Sequence, residues 1–177
     1  IDPVAKTVDL KSGGKLPYDR LVLAPGIAFK FDAIEGYDEA ATEIMPHAWI
    51  AGPQTELLRQ QLDSMEDGGV FLIISPPNPF RCPPGPYERA SLVAYYFKQF
   101  KPRSKILILD TKDSFFQQEL FQDAWVHHYP GMIEWLPAQF TGGIKAVDIK
   151  DLSVKTAGDT FKGAVVNLIP PQIAGGL

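Results

Sequence analysis

Short apolar runs alternate with longer amphipathic segments through the middle of this 177-residue chain. The apolar runs have the length of buried strands, and the segments between them repeat apolar residues at helical spacing. Strands that alternate with helices predict a parallel sheet covered by helices, the Rossmann-like α/β class. The predicted strands are 70–74, 105–109 and 132–136, and the predicted helices are 53–66, 86–100 and about 114–127.

Antiparallel β-structure is predicted on both sides of this α/β region. A β-hairpin is expected over residues 4–24, with strands on either side of the turn Ser12-Gly13-Gly14. A β-meander is expected near the carboxyl end, where short apolar runs alternate with turn residues. Its three strands are predicted at 144–149, 152–156 and 161–169.

These elements divide the chain into three predicted regions. Residues 1–50 form an outer piece with its connection, residues 51–138 form the middle α/β domain, and residues 139–177 form the returning β-meander. The chain opens on Ile1 rather than methionine, and we expect it to be an internal fragment of a longer protein.

Charge and hydropathy argue against several classes of partner. The net charge is −4 and the Lys and Arg residues form no cluster, which argues against nucleic acid. No apolar run has the length of a transmembrane segment. His47, His127 and His128 lack a metal-binding spacing, so no metal site is predicted.

The only cysteine, Cys82, lies in a proline-rich loop between a predicted strand and a predicted helix. Open α/β sheets place their ligand sites at the carboxyl ends of strands, and a helix N-terminus favours an anion. Cys82 is therefore a candidate for redox chemistry. The alternative is an inert cysteine that packs as a small apolar side chain.

The same loop argues against a dinucleotide site. Units that bind NAD carry glycines whose backbone amides approach the pyrophosphate, whereas proline has no amide hydrogen. Asp110 follows the next predicted strand, as a ribose-binding acid would, but without the glycines we expect a strand-end or helix-capping residue. We predict no NAD. The prolines are Pro76, Pro77, Pro79, Pro83, Pro84 and Pro86.

Three segments carry a family resemblance. The first, Tyr18-Asp19-Arg20-Leu21-Val22-Leu23-Ala24-Pro25-Gly26, resembles the segment that returns the chain to the FAD domain in two-dinucleotide-domain flavoproteins. The others are similar to the flavoprotein subunit of flavocytochrome c sulfide dehydrogenase; they are Cys82-Pro83-Pro84-Gly85-Pro86-Tyr87-Glu88-Arg89-Ala90 and Asn167-Leu168-Ile169-Pro170-Pro171-Gln172. Sulfide:quinone oxidoreductases are relatives with the same separation of cysteine and glutamate.

The resemblance implies FAD as cofactor and assigns the outer regions to pieces of an FAD-binding domain. Ala24, Pro25 and Gly26 would contact the cofactor, or else form a strand-ending turn. Cys82 would pair with a second cysteine, outside this chain, in a disulfide beside the flavin. Glu88 would accept a proton there, or else act as a first-turn acid that satisfies the helix dipole.

The function implied by the resemblance is that of a periplasmic sulfide dehydrogenase, which oxidises sulfide and passes electrons to a c-type cytochrome subunit. The fragment lacks the first FAD-binding unit and the partner cysteine, so we expect it to be inactive alone. Two alternatives stay open. One is a sulfide:quinone oxidoreductase fragment, and the other is a non-enzymatic interaction domain with an inert Cys82.

Overall fold

The computed structural model describes residues 1–176, which form eleven strands, four α-helices and two short 3-10 helices. The strands are β1 (Thr7–Asp9), β2 (Lys15–Pro17), β3 (Ile27–Phe29), β4 (Val70–Ser75), β5 (Lys105–Asp110), β6 (Ile133–Leu136), β7 (Ile144–Asp148), β8 (Ser153–Thr156), β9 (Thr160–Lys162), β10 (Val165–Leu168) and β11 (Gln172–Ala174). The α-helices are α1 (Pro53–Ser64), α2 (Gly85–Phe100), α3 (Gln118–His128) and α4 (Ala138–Thr141), and the 3-10 helices are Phe31–Ala33 and Ala40–Glu43.

A parallel four-stranded sheet in the order β10-β4-β5-β6 forms the centre of the fold. Alternate residues of β4 enter opposite cores, since Phe71 packs on one face and Leu72 on the other. Both faces are covered, which explains why β4 and β5 are continuous apolar runs. Helix α2 contacts both strands. Its predicted inward residues are buried, namely Ala90, Val93, Ala94 and Phe97. The predicted α/β class with a parallel sheet is confirmed.

The amino-terminal hairpin is shorter than predicted. Its turn is closed by hydrogen bonds between Leu10 and the two glycines, so β2 begins at Lys15, immediately after Gly14. The predicted second strand over 18–24 is wrong, because these residues pair with no strand within the described part of the chain. Val22 is 90 % exposed as a result.

The predicted strand 161–169 is two strands. β9 pairs antiparallel with β8 in a three-stranded meander, whereas β10 pairs parallel with β4. Gly163 lies at the junction, where a Cβ atom would stand 2.9 Å from Cγ of Leu72. All four residues of β10 are buried, as expected for a strand inside a parallel sheet.

A further antiparallel pair, β3 with β11, was not predicted. It brings Ile27 and β11 beside the loop that follows β4 and so positions part of the candidate site. Helix α3 begins at Gln118, later than the predicted 114, because Gln117 adopts a left-handed backbone conformation with φ 58°. Across residues 1–176, every helix is too short or too polar to cross a membrane.

Candidate functional site

Cys82 lies in the loop that joins the carboxyl end of β4 to the start of α2. Its carbonyl accepts a hydrogen bond from Gly85 N at 2.9 Å, which folds the loop back before the helix. The thiol is free and exposed rather than packed in the core. A Cβ atom on Gly85 would stand 3.2 Å from Sγ of Cys82 and 2.5 Å from the Trp49 ring. Glycine is therefore needed for the thiol and Trp49 to lie this close to the helix start.

Cys82 and Glu88 line one cleft of about 390 Å³. Glu88 lies in the first turn of α2, so both residues line the cleft from the loop-to-helix junction. The carboxylate of Glu88 is exposed, and it forms no ion pair with any described residue. The structure thus brings both predicted catalytic residues together. The other lining residues are Ala48, Trp49, Arg81, Gly85, Arg89 and Leu92.

Arg89 is held in this cleft by uncharged oxygens. It donates hydrogen bonds from Nη1 to Asn167 Oδ1 at 2.8 Å and to the His47 carbonyl at 3.1 Å, and from Nη2 to the Ala48 carbonyl at 2.5 Å. The guanidinium also lies 5.2 Å from the centre of the Trp49 ring. Burial lowers the pKa of Arg89 to about 10, so the side chain is charged at neutral pH.

His47 stays uncharged beside this arginine. Its Nδ1 accepts a hydrogen bond from Trp49 N at 3.0 Å. Burial, with a contribution from the charge of Arg89, lowers the pKa of His47 to about 4. His127 and His128 lie far along the chain in the last turn of α3. Residues 1–176 contain no group of three His, Cys, Asp or Glu side chains that could hold a metal ion.

The predicted cofactor segment, residues 24–26, lies next to β11 and does not line the Cys82 cleft. Gly26 has φ 78°, and its carbonyl accepts a hydrogen bond from Gly175 N at 2.9 Å. The segment leads directly into β3. It is connected to the cysteine loop through β11, because Arg81 N donates to Gln172 Oε1 at 2.9 Å.

A second cavity of about 230 Å³ lies where the β3–β11 pair meets the cysteine loop. Gln172 is 8 % exposed there, and its Nε2 has no hydrogen-bond partner within residues 1–176. Arg81 N–H requires an acceptor, which fixes the oxygen of the Gln172 amide and leaves the NH₂ group unpaired. The cavity is lined by Ile27, Pro79, Phe80, Arg81, Gln172, Ile173 and Ala174.

The sequence interpretation gave Gln172 no role. Its only signal was membership of the closing segment that carried the family resemblance. Nothing in the local pattern indicates that a glutamine at the start of a short strand will be buried with one amide hydrogen-bonding group unused.

Asp110 was expected either to end a strand or to cap a helix. It is the last residue of β5 and does not cap a helix. The carboxylate is fully buried and accepts hydrogen bonds from Tyr87 OH at 2.5 Å, Trp135 Nε1 at 2.9 Å and Lys112 Nζ at 2.6 Å. Lys112 Nζ also donates to Ser75 Oγ at 2.9 Å. Burial lowers the pKa of Lys112, although Asp110 opposes this shift.

This buried network occupies the carboxyl edge of the sheet. Lys112 lies 5.0 Å from the centre of the Phe80 ring, so the lysine and the proline-rich loop cover the edge together. Tyr87 stacks on Phe115 with ring centres 3.6 Å apart. Burial and the nearby Asp110 raise the pKa of Tyr87, which keeps the phenol protonated as a donor.

A comparison with known families identifies the family of this chain. The model of the sulfide dehydrogenase (flavocytochrome c) flavoprotein chain, central region, matches residues 55–170. The chain belongs to this family. The matched range includes Cys82, Glu88 and Asp110, and the resemblance inferred from the sequence is confirmed. The family is one of flavoprotein dehydrogenases, and its name associates the flavoprotein chain with a cytochrome c.

Proposed function

We propose that this chain is the central part of an FAD-dependent sulfide dehydrogenase of the two-dinucleotide-domain type, located in the periplasm. Sulfide is oxidised at a disulfide between Cys82 and a second cysteine outside this chain, and electrons pass through the flavin to a c-type cytochrome subunit. The observation that carries the proposal is that Cys82 and Glu88 line a single cleft. Family membership supports a flavin cofactor and a cytochrome c partner.

The residues around Gln172 fit a flavin. The cavity has apolar walls from Ile27 and Phe80, and it has one unpaired amide donor, Gln172 Nε2. A flat heteroaromatic ring with oxygen acceptors on its edge would satisfy that donor and cover the apolar walls. Ala24, Pro25 and Gly26, at the adjoining strand pair, would contact the cofactor. A bound flavin supplies a two-electron acceptor that can release electrons singly to a haem.

The sulfur step in this proposal is a thiol–disulfide exchange. Glu88 accepts the proton of the incoming sulfide, whose sulfur forms a bond to Sγ of Cys82. The disulfide bond breaks, and its electron pair leaves with the sulfur of the second cysteine as a thiolate. Cys82 then carries a persulfide. Exposure of the thiol and of Glu88 supports this step, because both can be reached by a small substrate.

We infer that the chain binds neither NAD(H) nor NADP(H). The loop after β4 offers few amide donors, and Lys112, Asp110 and Tyr87 fill the sheet edge with a network that satisfies itself. Calorimetric titration of the chain with either nucleotide is expected to show no saturable heat up to millimolar concentrations. A micromolar isotherm would show that the proline loop accepts a pyrophosphate.

Glu88→Gln in the complete flavoprotein tests the assigned proton acceptor. We expect flavin reduction by sulfide to slow by about 100-fold at pH values where sulfide keeps its protons, with a smaller loss at higher pH. The measurement is the rate of flavin bleaching in anaerobic stopped flow across pH.

Glu119→Gln is the matched control. Glu119 is an exposed acid in the first turn of α3, just as Glu88 is an exposed acid in the first turn of α2. If Glu88 served only the helix dipole, both variants would lose a little stability and neither would slow bleaching. That result would remove Glu88 from the mechanism.

A further inference from the structure

Two arginines of the Cys82 cleft have no carboxylate partner within residues 1–176. Arg81 donates from Nη2 to the Trp49 carbonyl, and the rest of its guanidinium forms no hydrogen bond with described residues. Arg89 forms hydrogen bonds only with carbonyl and amide oxygens. Of the other arginines in the described chain, Arg59 and Arg103 each pair with an aspartate at 2.8 Å, and Arg20 lies outside the cleft without an ion pair. The cleft therefore holds two cations that form no ion pair within residues 1–176.

The lining of the cleft is cationic although the whole chain has a net charge of −4. Two arginines, Arg81 and Arg89, stand against one acid, Glu88, so the lining carries one net positive formal charge. His47, which packs behind Arg89, is neutral. Fixed cations around a small concave site raise the local concentration of anions.

Arg89 is a fixed charge rather than a mobile one. Its hydrogen bonds attach it to the 47–48 segment and to Asn167 on β10, and Trp49 stacks against its guanidinium. Arg81 is exposed and keeps free N–H donors. One arginine is thus preorganised, and the other can close on a ligand through donors that the protein leaves unused.

We infer that the Cys82 cleft is an anion-binding site in which Arg81 and Arg89 hold the sulfur substrate as hydrosulfide or as a polysulfide chain. The identity of the ligand rests on the proposed function, but the anion site itself does not. In this arrangement the arginines bring a negatively charged sulfur beside Sγ of Cys82, and Glu88 stays available for the proton. The arginines are positioning residues, and Cys82 is the group that reacts.

The single cysteine makes the inference testable on this chain without flavin or sulfide. Reduced protein is labelled with the dianionic Ellman's reagent and with uncharged 4,4′-dithiodipyridine, and the ratio of the two rate constants is measured. The ratio cancels changes in intrinsic thiol reactivity. We expect Arg81→Gln to lower it by about three- to tenfold and Arg81→Lys to restore most of it. Arg89→Gln should lower it as well.

Arg103→Gln is the matched control, because it removes the same charge from a surface pair at the opposite end of β5. Its ratio should equal that of the wild type. In a second measurement, sulfate replaces chloride while the ionic strength is kept constant. Sulfate should slow labelling of Cys82 by the uncharged reagent in the wild type but not in Arg81→Gln.

An unchanged ratio in folded Arg81→Gln, or an equal fall in Arg103→Gln, would overturn the anion site, as would the absence of protection by sulfate. If circular dichroism shows that Arg89→Gln is unfolded, the Arg81 variants and the sulfate measurement still test the anion site. Failure here would leave the sulfide dehydrogenase proposal standing, since no sulfide chemistry enters these measurements.

Discussion

Replacing Cys82 with serine in the complete flavoprotein is expected to lower sulfide oxidation by at least about a thousandfold while the flavin stays bound. Serine is close in size to cysteine but can form neither a disulfide nor a persulfide, so the sulfur step has no acceptor. The measurement is sulfide-dependent reduction of cytochrome c, with the flavin content read from visible absorbance.

The exposure of Cys82 makes this variant a clean test. The thiol contributes no core packing, and its loop is fixed by the Gly85 N bond to the Cys82 carbonyl, which serine keeps. Thermal unfolding should therefore match that of the wild type. An inert thiol predicts wild-type turnover in the same folded protein. That outcome would exclude Cys82 from the reaction and leave an inert cysteine as the explanation.

Where local pattern and packing agree, the sequence was sufficient to predict the fold. Strands β4 and β5 and helix α2 were predicted to within one residue, because buried parallel strands and a helix on their face leave strong apolar periodicity. The failures came from partners distant in sequence. Residues 18–24 have a strand-like composition but find no neighbouring strand in the described chain. The break at Gly163 lies where a Cβ atom would stand 2.9 Å from Cγ of Leu72, a neighbour that no local pattern contains.

The residues of the candidate site also divide into those that the sequence predicted and those that it did not. Cys82 was predicted from its place in the loop between a strand and a helix start, and Glu88 was assigned because the family resemblance implied it. Arg89 and Gln172 were missed as parts of the site because their environment comes from far along the chain. Arg89 is held by residues near 47 and 167, and Gln172 is buried by the pairing of β11 with β3. The proposed division at residues 50 and 138 stays a prediction.

The buried network behind the site also lacked a sequence signal beyond Asp110. Tyr87 lies on α2, Trp135 on β6 and Lys112 in the loop after β5, so they meet only after the sheet has formed. Lys112 and Asp110 form an ion pair with side chains 10 % and 0 % exposed, whereas the other ion pairs of residues 1–176 lie at the surface. Breaking this buried pair is therefore expected to cost more free energy of folding than breaking any of the surface pairs.

Asp110→Asn is expected to destabilise the chain by about 3 kcal/mol, because it leaves Lys112 as an uncompensated buried cation. An asparagine also fits the site poorly. Both carboxylate oxygens of Asp110 accept from donors, so whichever way the amide turns, its NH₂ group faces the Lys112 amine or the Tyr87 and Trp135 donors. The measurement is urea unfolding of the purified chain, followed by tryptophan fluorescence.

Asp151→Asn is the control that separates burial from charge. It removes the same negative charge from the Lys162–Asp151 pair, whose distance is also 2.6 Å but whose side chains are 64 % and 45 % exposed. Water already solvates both partners, so the unfolding midpoint should barely move. Equal losses in the two variants would mean that net charge, rather than the buried network, sets the stability. Lys112→Met should recover part of the loss when added to Asp110→Asn, because removing the orphaned cation removes the cost of burying it.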